Sequence, residues 1–598
     1  MRVSLNWLRE YVDISLPLDE LLNRLAMAGF EGKVLQVIGG GWDNILIGEI
    51  TAINPHPNAD RLHLLTINLG SREETVVCGA PNCTVGAKVA FASVGAELTD
   101  PRTGEKVRLK PAKIRGVLSR GMACSEKELG ISENHEGILI LPDEAPIGTP
   151  LADYLGDVVL NLEITPNRPD CLSVIGLARE IAALTGQTVR LPEVSYPEEA
   201  PPVDDYASVE IAVPELCPRY CASVITGVRI GESPGWMQRR LLACGLRPIN
   251  NVVDVTNYVM LEYGQPLHAF DYQMIRGRKV VVRRASPGER VVSLDGVERV
   301  LSADMLVIAD AERAVAIAGV MGGANSEVTT ETTSILLEAA NFNPASIHRT
   351  GRALRLASEA AMRFERGISP ELTLPALKRA TQLIIELAGG RAATGLADVY
   401  PAKREPRPIA LSTGEVKRVL GVEFSVERIR HVLTSLGFDC RPGGSAEEVL
   451  AIAPYWRSDI TLPVDLIEEV ARITGYDEIP TTMLSQPIPR HNPAPIIRLK
   501  QGLAQRLVGY GFQEIVSYSL TSLDLLSRLR PQRRPPEVMP LRVANPMTVE
   551  QEYLRPCLRA GLLAALAANR ARVEGGLRLF ELGRVYLPRP NKLSLIHI

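Results

Sequence analysis

Between Arg247 and Asp271 the chain reads RPINNVVDVTNYVMLEYGQPLHAFD, in which Val252, Val255, Val259 and Tyr263 recur at the spacing that gathers apolar side chains on one helical face. Gly264 can take the left-handed conformation that closes a helix, and Pro266 prevents its resumption. The pattern predicts a helix ending near Tyr263, then a short loop carrying His268 between Leu267 and Phe270. Asn250, Asn251, Asp254, Thr256 and Asn257 crowd the other end. This is more uncharged polar chemistry than packing requires, and it reads either as a pocket wall or as helix caps beside an ordinary loop histidine.

Similar patterns divide the rest of the chain. Residues 1–38 predict a strand and two helices, the second from about Leu18 to Ala28 and stopped by Gly29. From Ile45 the texture changes to short β-rich runs (ILIGEITAI, LHLLTINLG, ETVVCGA, KVAFASVGAEL and GILILP), which predict a small closed barrel, with the oligonucleotide-binding (OB) type as the leading candidate. In LNLEITPNRPDCLSVIGLAREIAALTG, Pro166 and Pro169 fix a turn and Asp170 can cap a helix whose apolar face is Leu172, Ile175, Leu177 and Ile181. That segment can pair with residues 1–38, making the barrel an insertion in a discontinuous domain; LPEVSYPEEAPPVDD after it reads as a linker.

The central module spans about 207–401. In AVAIAGVMGGANSE a strand meets Gly319, Gly322 and Gly323, which let backbone N–H groups approach a ligand, and no Gly-Lys-Ser/Thr follows to make a nucleotide loop. SILLE delivers Glu338 at a strand end, either as a site residue or as a surface glutamate, and LASEAAMRFERG supplies Ser358 and the small Ala360. A linker, PAKREPRP, leads to a module at 409–480 whose helices SVERIRHVLTSLG and VDLIEEVARITG flank a strand ending in PYWRSD. Prolines from Pro487 to Pro495 mark the last linker. The final segment, about 496–598, predicts helix IIRLKQGLAQRLVGYGF, strand EIVSYSL, helix RAGLLAALAANRAR and strand LRLFELGRVYL, an α/β arrangement with strands still to come.

Composition narrows the classes. A chain of 598 residues exceeds what one core supports, so several domains are expected. Net charge of −3 gives no global attraction to nucleic acid or anionic lipid. No apolar run reaches membrane-span length, and MRVSLNWLREYVDI carries acids where a signal peptide is apolar, so a cytoplasmic protein without membrane partners is expected. The nine cysteines lack metal-knuckle spacing and read as free thiols. Charge is local instead. Lys106, Arg108, Lys110, Lys113 and Arg115 lie between Arg102 and Arg120 with Glu105 as the only acid. Such a patch can follow a phosphate backbone, while the lack of Trp and Tyr in the β-rich runs argues against base stacking; shape-directed RNA binding or a solvated basic face remain as readings. Asp465, Glu468 and Glu469 stand at i, i+3 and i+4 with Asp459 just before, a set that suits Mg²⁺ or simply complements a helix dipole.

Taken together, SLNWLREYVD, RGVLSRGMACSEKELG, TPNRPDCLSVIGLARE, INNVVDVTNYVMLEYGQPLHAFD, GVMGGANSEV with ILLEAANF, RFERG, and PYWRSDITLPVDLIEEVARITGYD occur in an order that closely resembles the β-subunit family of bacterial phenylalanyl-tRNA synthetases, over nearly the whole chain. The resemblance implies a multidomain α+β protein: a discontinuous N-terminal domain (1–38 with 152–190), an inserted OB-fold tRNA-binding barrel (39–151), an α/β editing module (207–401), a winged-helix-like module (409–480) and a non-catalytic class II synthetase-like antiparallel-sheet domain (496–598). It implies an (αβ)₂ assembly in which the α subunit uses ATP to charge tRNA(Phe), a Mg²⁺ shared with α at Asp459, Asp465, Glu468 and Glu469, and hydrolysis of tyrosine mischarged onto tRNA(Phe) in a pocket mapping to Asn250, Thr256, His268, Gly319, Glu338, Ser358 and Ala360. The alternative of another class is a tRNA-binding scaffold with a silent pocket.

A second site has a physical reason. A pocket shaped for phenylalanine rejects an isostere that adds only a hydroxyl by about 10². A second sieve must read that hydroxyl, and Glu338 as an acceptor for the phenol is the residue expected to do it. Two departures from the family pattern stand out. Where the family often has Thr-Asp/Glu-Ala-Ser, this chain has Ser358-Glu359-Ala360-Ala361. The sequence also stops at LPRPNKLSLIHI, before the family's ferredoxin-like anticodon-binding domain, which reads as truncation or a reading-frame artefact.

Overall fold

The computed structural model describes residues 1–403, 405–483, 492–529 and 539–588. The tail from 589 and most of the last proline-rich linker therefore lie outside the described residues. The chain divides into two compact units, Met1–Thr481 and Thr482–Ile598.

The first unit opens with β1 (Arg2–Ser4), α1 (Leu5–Tyr11), α2 (Leu18–Met27) and an edge strand β2 (Gly32–Ile38). Ser4 caps α1, its Oγ accepting from the Trp7 N–H, and Gly29 follows α2 at φ +95°. The β-rich runs then form β3 (Ile45–His56), β4 (Ala59–Asn68), β5 (Glu73–Cys78), β6 (Lys88–Ser93), β7 (Glu97–Thr99), β8 (Lys106–Arg108), β9 (Ala112–Ile114), β10 (Val117–Ser119), β11 (Gly121–Ala123) and β12 (Ile140–Leu141). Their main sheet runs β11–β6–β3–β4–β5, with β12 also on β6. Alternation along it separates two apolar clusters, one holding Ile45, Ile47, Ala90 and Ala92, the other Ile50, Leu65, Val89 and Phe91. After α3 (Leu151–Leu155), β13 (Asp157–Leu162) returns between β1 and β2, antiparallel to both, pairing Arg2 with Asn161 and Ile38 with Asp157. The chain from 39 to 156 is thus an excursion out of one small sheet.

Helix α4 (Val174–Thr185) comes next. Its N-cap is Ser173, whose Oγ accepts from the Gly176 N–H. Asp170, expected as the cap, is instead held by Arg168 through two charge-assisted bonds of 3.0 and 2.8 Å. The segment expected as a linker also holds regular structure: β14 (Glu198–Pro202) lies within it and α5 (Val203–Tyr206) begins in it, β14 running parallel to a strand nearly two hundred residues downstream.

The central module consists of β15 (Ser208–Ile211), β16 (Arg219–Thr226), α6 (Gly235–Ala243), α7 (Asn251–Tyr263), β17 (Leu267–Asp271), β18 (Lys279–Arg284), β19 (Arg290–Val292), β20 (Glu298–Val300), β21 (Leu306–Ala309), β22 (Ala314–Ile317), β23 (Met321–Gly322), β24 (Ser334–Asn341), α8 (Pro344–Leu354), α9 (Glu359–Glu365), α10 (Thr373–Ala388), β25 (Arg391–Thr394) and β26 (Ala397–Val399). One sheet runs β14–β25–β16–β24–β17 with β26 on β16; a second runs β15–β18–β21–β22–β23. Cys221, Ile225, Ile335, Leu337 and Ala339 pack on one face of the first sheet against α7, α10 and the N-terminal helices. The alternate residues Tyr220, Ala222, Val224, Leu336, Ala340 and Phe270 pack on the other face, against Val282, Ile308, Val315 and Ile317 of the second sheet. The candidate site lies between the two sheets.

The module after it has an antiparallel sheet of β27 (Ile409–Ser412), β28 (Asp439–Pro442) and β29 (Glu448–Ile452), with β29 central, packed against α11 (Thr413–Leu420), α12 (Val426–Ser435) and α13 (Pro463–Thr474). In the second unit α14 (Pro495–Gly509), α15 (Leu523–Ser527) and α16 (Arg559–Asn569) accompany β30 (Gln513–Glu514), β31 (Leu520–Thr521), β32 (Tyr553–Leu554) and β33 (Leu579–Phe580). The expected antiparallel sheet is reduced, among the described residues, to β31 on β32, while β30 and β33 pair parallel. No helix among the described residues is long and apolar enough to cross a membrane.

Candidate active site

Helix α7 forms as its spacing predicts. Asn250 is its N-cap, accepting from the N–H groups of Val252 and Val253, and Gly264 closes it at φ +88°. The expected loop beyond Pro266 is instead a strand. Residues 267–271 form β17, which adds to the edge of β24 with His268 directly opposite Glu338. Glu338 in turn lies inside β24, not at its end, and is buried. Residues facing each other across an antiparallel pair share a sheet face, so the strand register, not a loop, brings these two together.

Both line a cavity of about 80 Å³ between the sheets. Its other walls are apolar or small, among them Ile308, Ile317, Gly319, Phe342, Ala360 and Phe364, and among the described residues only His268 and Glu338 bring titratable groups to it. The Phe342 and Phe364 rings meet edge to face at 5.1 Å. Gly319 sits at φ +67°, and a Cβ there would come within 2.8 Å of the Ile347 and Phe342 side chains, so backbone conformation and packing together favour glycine. A Cβ at Gly322 would strike the His268 ring, so the absence of a side chain there lets that backbone approach the imidazole closely.

The two polar groups are held in unusual states. Burial pushes the Glu338 carboxyl up to about 8, although the Tyr220 hydroxyl, donating to Oε2 at 3.2 Å, favours the ionised form. Burial lowers His268 to about 4, and its Nε2 is buried with no hydrogen-bond partner among the described residues. At neutral pH the cavity therefore presents a protonated carboxyl and a neutral imidazole, each able to donate or accept. A buried nitrogen without a partner is costly, and a ligand that satisfies it recovers that cost.

The other residues mapped to this pocket divide. Gly319 and Ala360 line it. Ser358 stands beside it, capping α9 through the Ala361 N–H while its hydroxyl donates to the Val320 carbonyl. Asn250 and Thr256 do not line it: the first caps α7 and the second donates to the Val253 carbonyl, so both serve the helix that backs the sheet. Tyr220, Phe342 and Phe364 complete the surroundings, and nothing local in the sequence marks them.

The four carboxylates expected to hold Mg²⁺ do not form a ligand set in this chain. Arg457 holds Asp459 through two bonds of 2.9 and 2.7 Å and Glu469 at 2.5 Å. Arg472 also binds Glu469 and reaches Glu180 at 2.5 Å, and Glu180 meets Arg168, which binds Asp170. Seven side chains alternate in sign along a buried ladder joining α4 to α13. Asp465 accepts from the Thr461 and Leu462 N–H groups at the start of α13, leaving Glu468 facing solvent. The donor set does not fit a Mg²⁺ held by these four side chains, because arginines already neutralise Asp459 and Glu469 and backbone N–H groups engage Asp465. The same holds nearby: Asp170, Cys171 and Glu180 offer ligand atoms within 4.8 Å of one another, but the Arg168 guanidinium touches all three.

The basic run resolves into two hairpins, β7–β8 and β9–β10. Lys106, Arg108, Lys110, Lys113 and Arg115 are all exposed, and among the described residues none is in an ion pair. Arg115 at φ +48° and Gly116 at φ +101° make the tight turn that puts Arg115 at a hairpin tip.

Comparison with known proteins places these features in context. Four family models match: a tRNA binding domain over residues 45–150, a B3/4 domain over 216–389, a tRNA synthetase B5 domain over 409–476 and the phenylalanyl tRNA synthetase beta chain CLM domain over 479–596. The cavity lies within the second of these, and the basic hairpins within the first. Among curated relatives, the phenylalanine–tRNA ligase beta subunit of Dehalococcoides mccartyi (strain CBDB1) is 51% identical over 99% of this chain and 74% of its own length. That of Moorella thermoacetica is 44% identical over 99% and 74%, and that of Salinibacter ruber 42% over 98% and 72%. With such identity along nearly all of its length, a mixed α/β multidomain layout and these four domains in this order, the chain belongs to the phenylalanine–tRNA ligase β-subunit family.

Proposed function

We propose that the cavity between the two central sheets is an editing site, which hydrolyses tyrosine from mischarged tRNA(Phe), and that this chain supports ATP-dependent charging carried out by an α subunit in an (αβ)₂ assembly. The observation that carries the reading is the buried, unpartnered Nε2 of His268 beside a carboxyl kept neutral by burial, in a cavity otherwise lined by apolar groups. Glu338 offers the aromatic hydroxyl a partner. Phenylalanine offers it none and leaves a buried polar group unsatisfied, a source of discrimination that a purely apolar pocket lacks. His268 Nε2 is placed to hold the ester, the ribose or a water, and the backbone around Gly319 to meet the oxygen that gains charge.

The remaining modules fit the same assignment. The β-rich insertion, read as an OB-type barrel, would present its exposed hairpins with Lys106, Arg108, Lys110, Lys113 and Arg115 to tRNA phosphates. The 409–476 module is read as winged-helix-like and the second unit as class II synthetase-like. ATP and Mg²⁺ belong to charging; of the four acids expected to share Mg²⁺ with α, Glu468 is the exposed one. A tRNA-binding scaffold with a silent pocket would leave the unpartnered imidazole unexplained.

The test is deacylation of preformed Tyr-tRNA(Phe) by this chain assembled with α. Wild type is expected to hydrolyse it and to spare Phe-tRNA(Phe), and Glu338→Ala to lose that hydrolysis at unchanged charging rates. No hydrolysis by a wild-type complex that binds tRNA would replace this reading with the scaffold.

A further inference from the structure

On the sheet face that looks into the cavity, the adjacent strands β16, β24 and β17 carry three polar side chains, Tyr220, Glu338 and His268, among Ala222, Val224, Leu336, Ala340 and Phe270. Tyr220 is fully buried and does not line the cavity. Its hydroxyl reaches Glu338 Oε2 from behind at 3.2 Å, which leaves Oε1 as the carboxyl oxygen available to the cavity. The last torsion of a glutamate is soft, and the plane of its carboxyl takes its direction from whatever bonds it. His268, although directly across from Glu338, makes no hydrogen bond to it among the described residues. Tyr220 is therefore the group that sets the carboxyl's orientation.

We infer that Tyr220 is the positioning residue for hydroxyl recognition: by occupying Oε2 it fixes where Oε1 stands, and so the depth at which the site reads a ligand's phenol. This rests on the editing assignment above and deepens it. A buried tyrosine hydroxyl needs a partner, but any backbone carbonyl would serve. Here the partner is the carboxyl that lines the cavity, so the bond belongs to the site as well as to the core. The other titratable groups beside Glu338 among the described residues are the Cys217 thiol and the His268 ring; the opposing sheet contributes Ile308, Ala316 and Ile317, which carry no charge. The pH response of Glu338 is thus set by burial and by Tyr220.

The experiment uses the assembled αβ complex, with Tyr220→Phe, Glu338→Gln and the double variant. Each is given Tyr-tRNA(Phe) and Phe-tRNA(Phe) over a range of concentrations and from pH 5 to 9. Loss of one hydrogen bond should lower Tyr-over-Phe discrimination about 3- to 10-fold. The loss should fall in the tyrosine arm alone and raise the pH midpoint that Glu338 gives to that reaction. Once Glu338 is glutamine no acid remains in the pair, so that midpoint should be absent and Tyr220→Phe should have none to move. A Tyr220→Phe complex with wild-type discrimination and midpoint would overturn the inference. So would an equal loss on both substrates, which a packing defect gives, or a midpoint shift that persists in the Glu338→Gln background, which could not come from Glu338. A wild-type complex that leaves Tyr-tRNA(Phe) intact would remove the editing reading and this inference with it, whereas the other results bear on Tyr220 alone.

Discussion

Two clusters of buried polar groups in the first unit are built on opposite rules. In the ladder from Asp170 through Arg168, Glu180, Arg472, Glu469 and Arg457 to Asp459, every charge meets an opposite one, and burial does not neutralise it. Burial alone would push the Glu180 carboxyl up, yet Arg472 and Arg168 hold it down at about 2. In the cavity, burial acts on Glu338 and His268 with little to offset it, so one stays protonated and the other neutral. Opposite charges join α4 to α13, whereas the cavity holds one carboxyl bonded by a neutral hydroxyl and one imidazole nitrogen with no partner among the described residues. Acidic side chains thus cannot be ranked as functional by their number or spacing, but only by what already satisfies them.

Breaking the ladder should produce the largest effect. Arg472→Leu removes the guanidinium shared by Glu180 and Glu469 and leaves two buried carboxylates short of charge. A loss of about 3–5 kcal/mol is expected in chemical denaturation followed by a probe in the first unit. A loss under about 1 kcal/mol would mean that the ladder is solvated and the comparison false.

The cavity should respond in the other direction. Glu338 is about 8 in the folded chain against 4.5 unfolded, so between those values the native state binds the extra proton and stability falls as pH rises. Below 4.5 the group costs nothing by this route. Glu338→Gln should match wild type there and exceed it at pH 9, by at most about 1.4 kcal/mol for each pH unit that separates the folded and unfolded carboxyl. Equal pH curves for the two proteins would show the carboxyl to be hydrated.

His268 makes the smaller contribution, with the opposite sign. Its value of about 4, against 6.5 unfolded, means that the unfolded chain takes the proton first and stability is lost as pH falls through that window. His268→Gln should flatten the acid limb of the stability curve and leave the limb above neutrality unchanged. An unaltered acid limb would mean that the ring is already protonated or exposed.

How much of this can be read in the chain depends on where each group's partners lie. Helix α7 is legible because its cap, apolar spacing and terminating glycine are all within fifteen residues. The strand after it is not: Gly264 and Pro266 announce a break, and the pairing that makes 267–271 a strand comes from Ser334–Asn341, far along the sequence. In sequence Glu338 looks like a strand end because alanines, poor strand formers, come after it, yet Ala339 and Ala340 continue the ladder between β16 and β17. Asp459, Asp465, Glu468 and Glu469 resemble one ligand face for a similar reason. Their spacing is local, whereas Arg457 claims Asp459 and Glu469, and Arg472 ties Glu469 to Glu180 of α4, nearly three hundred residues earlier. Of the pocket residues that the family resemblance names, His268, Gly319, Glu338 and Ala360 share one cavity, whereas Asn250 and Thr256 are already employed by local hydrogen bonds.

The exposed basic hairpins sharpen the same rule at its weakest end. Lys106, Arg108, Lys110, Lys113 and Arg115 lack ion-pair partners among the described residues just as His268 lacks a hydrogen-bond partner, but water solvates them, so leaving them unpaired costs the fold almost nothing. Substituting one should therefore leave stability within about 0.5 kcal/mol of wild type. A ligand would reveal it instead. If Lys113 meets a phosphate, Lys113→Ala should weaken tRNA binding without regard to sequence and reduce the slope of log affinity against log salt by about 1. Gel-shift or fluorescence titrations at several salt concentrations, run in parallel on Lys113→Ala and Arg115→Ala, measure that slope directly. An unchanged slope for both would remove the hairpins from the tRNA interface. A drop in stability instead would mean that these charges belong with the ladder, spent on the fold.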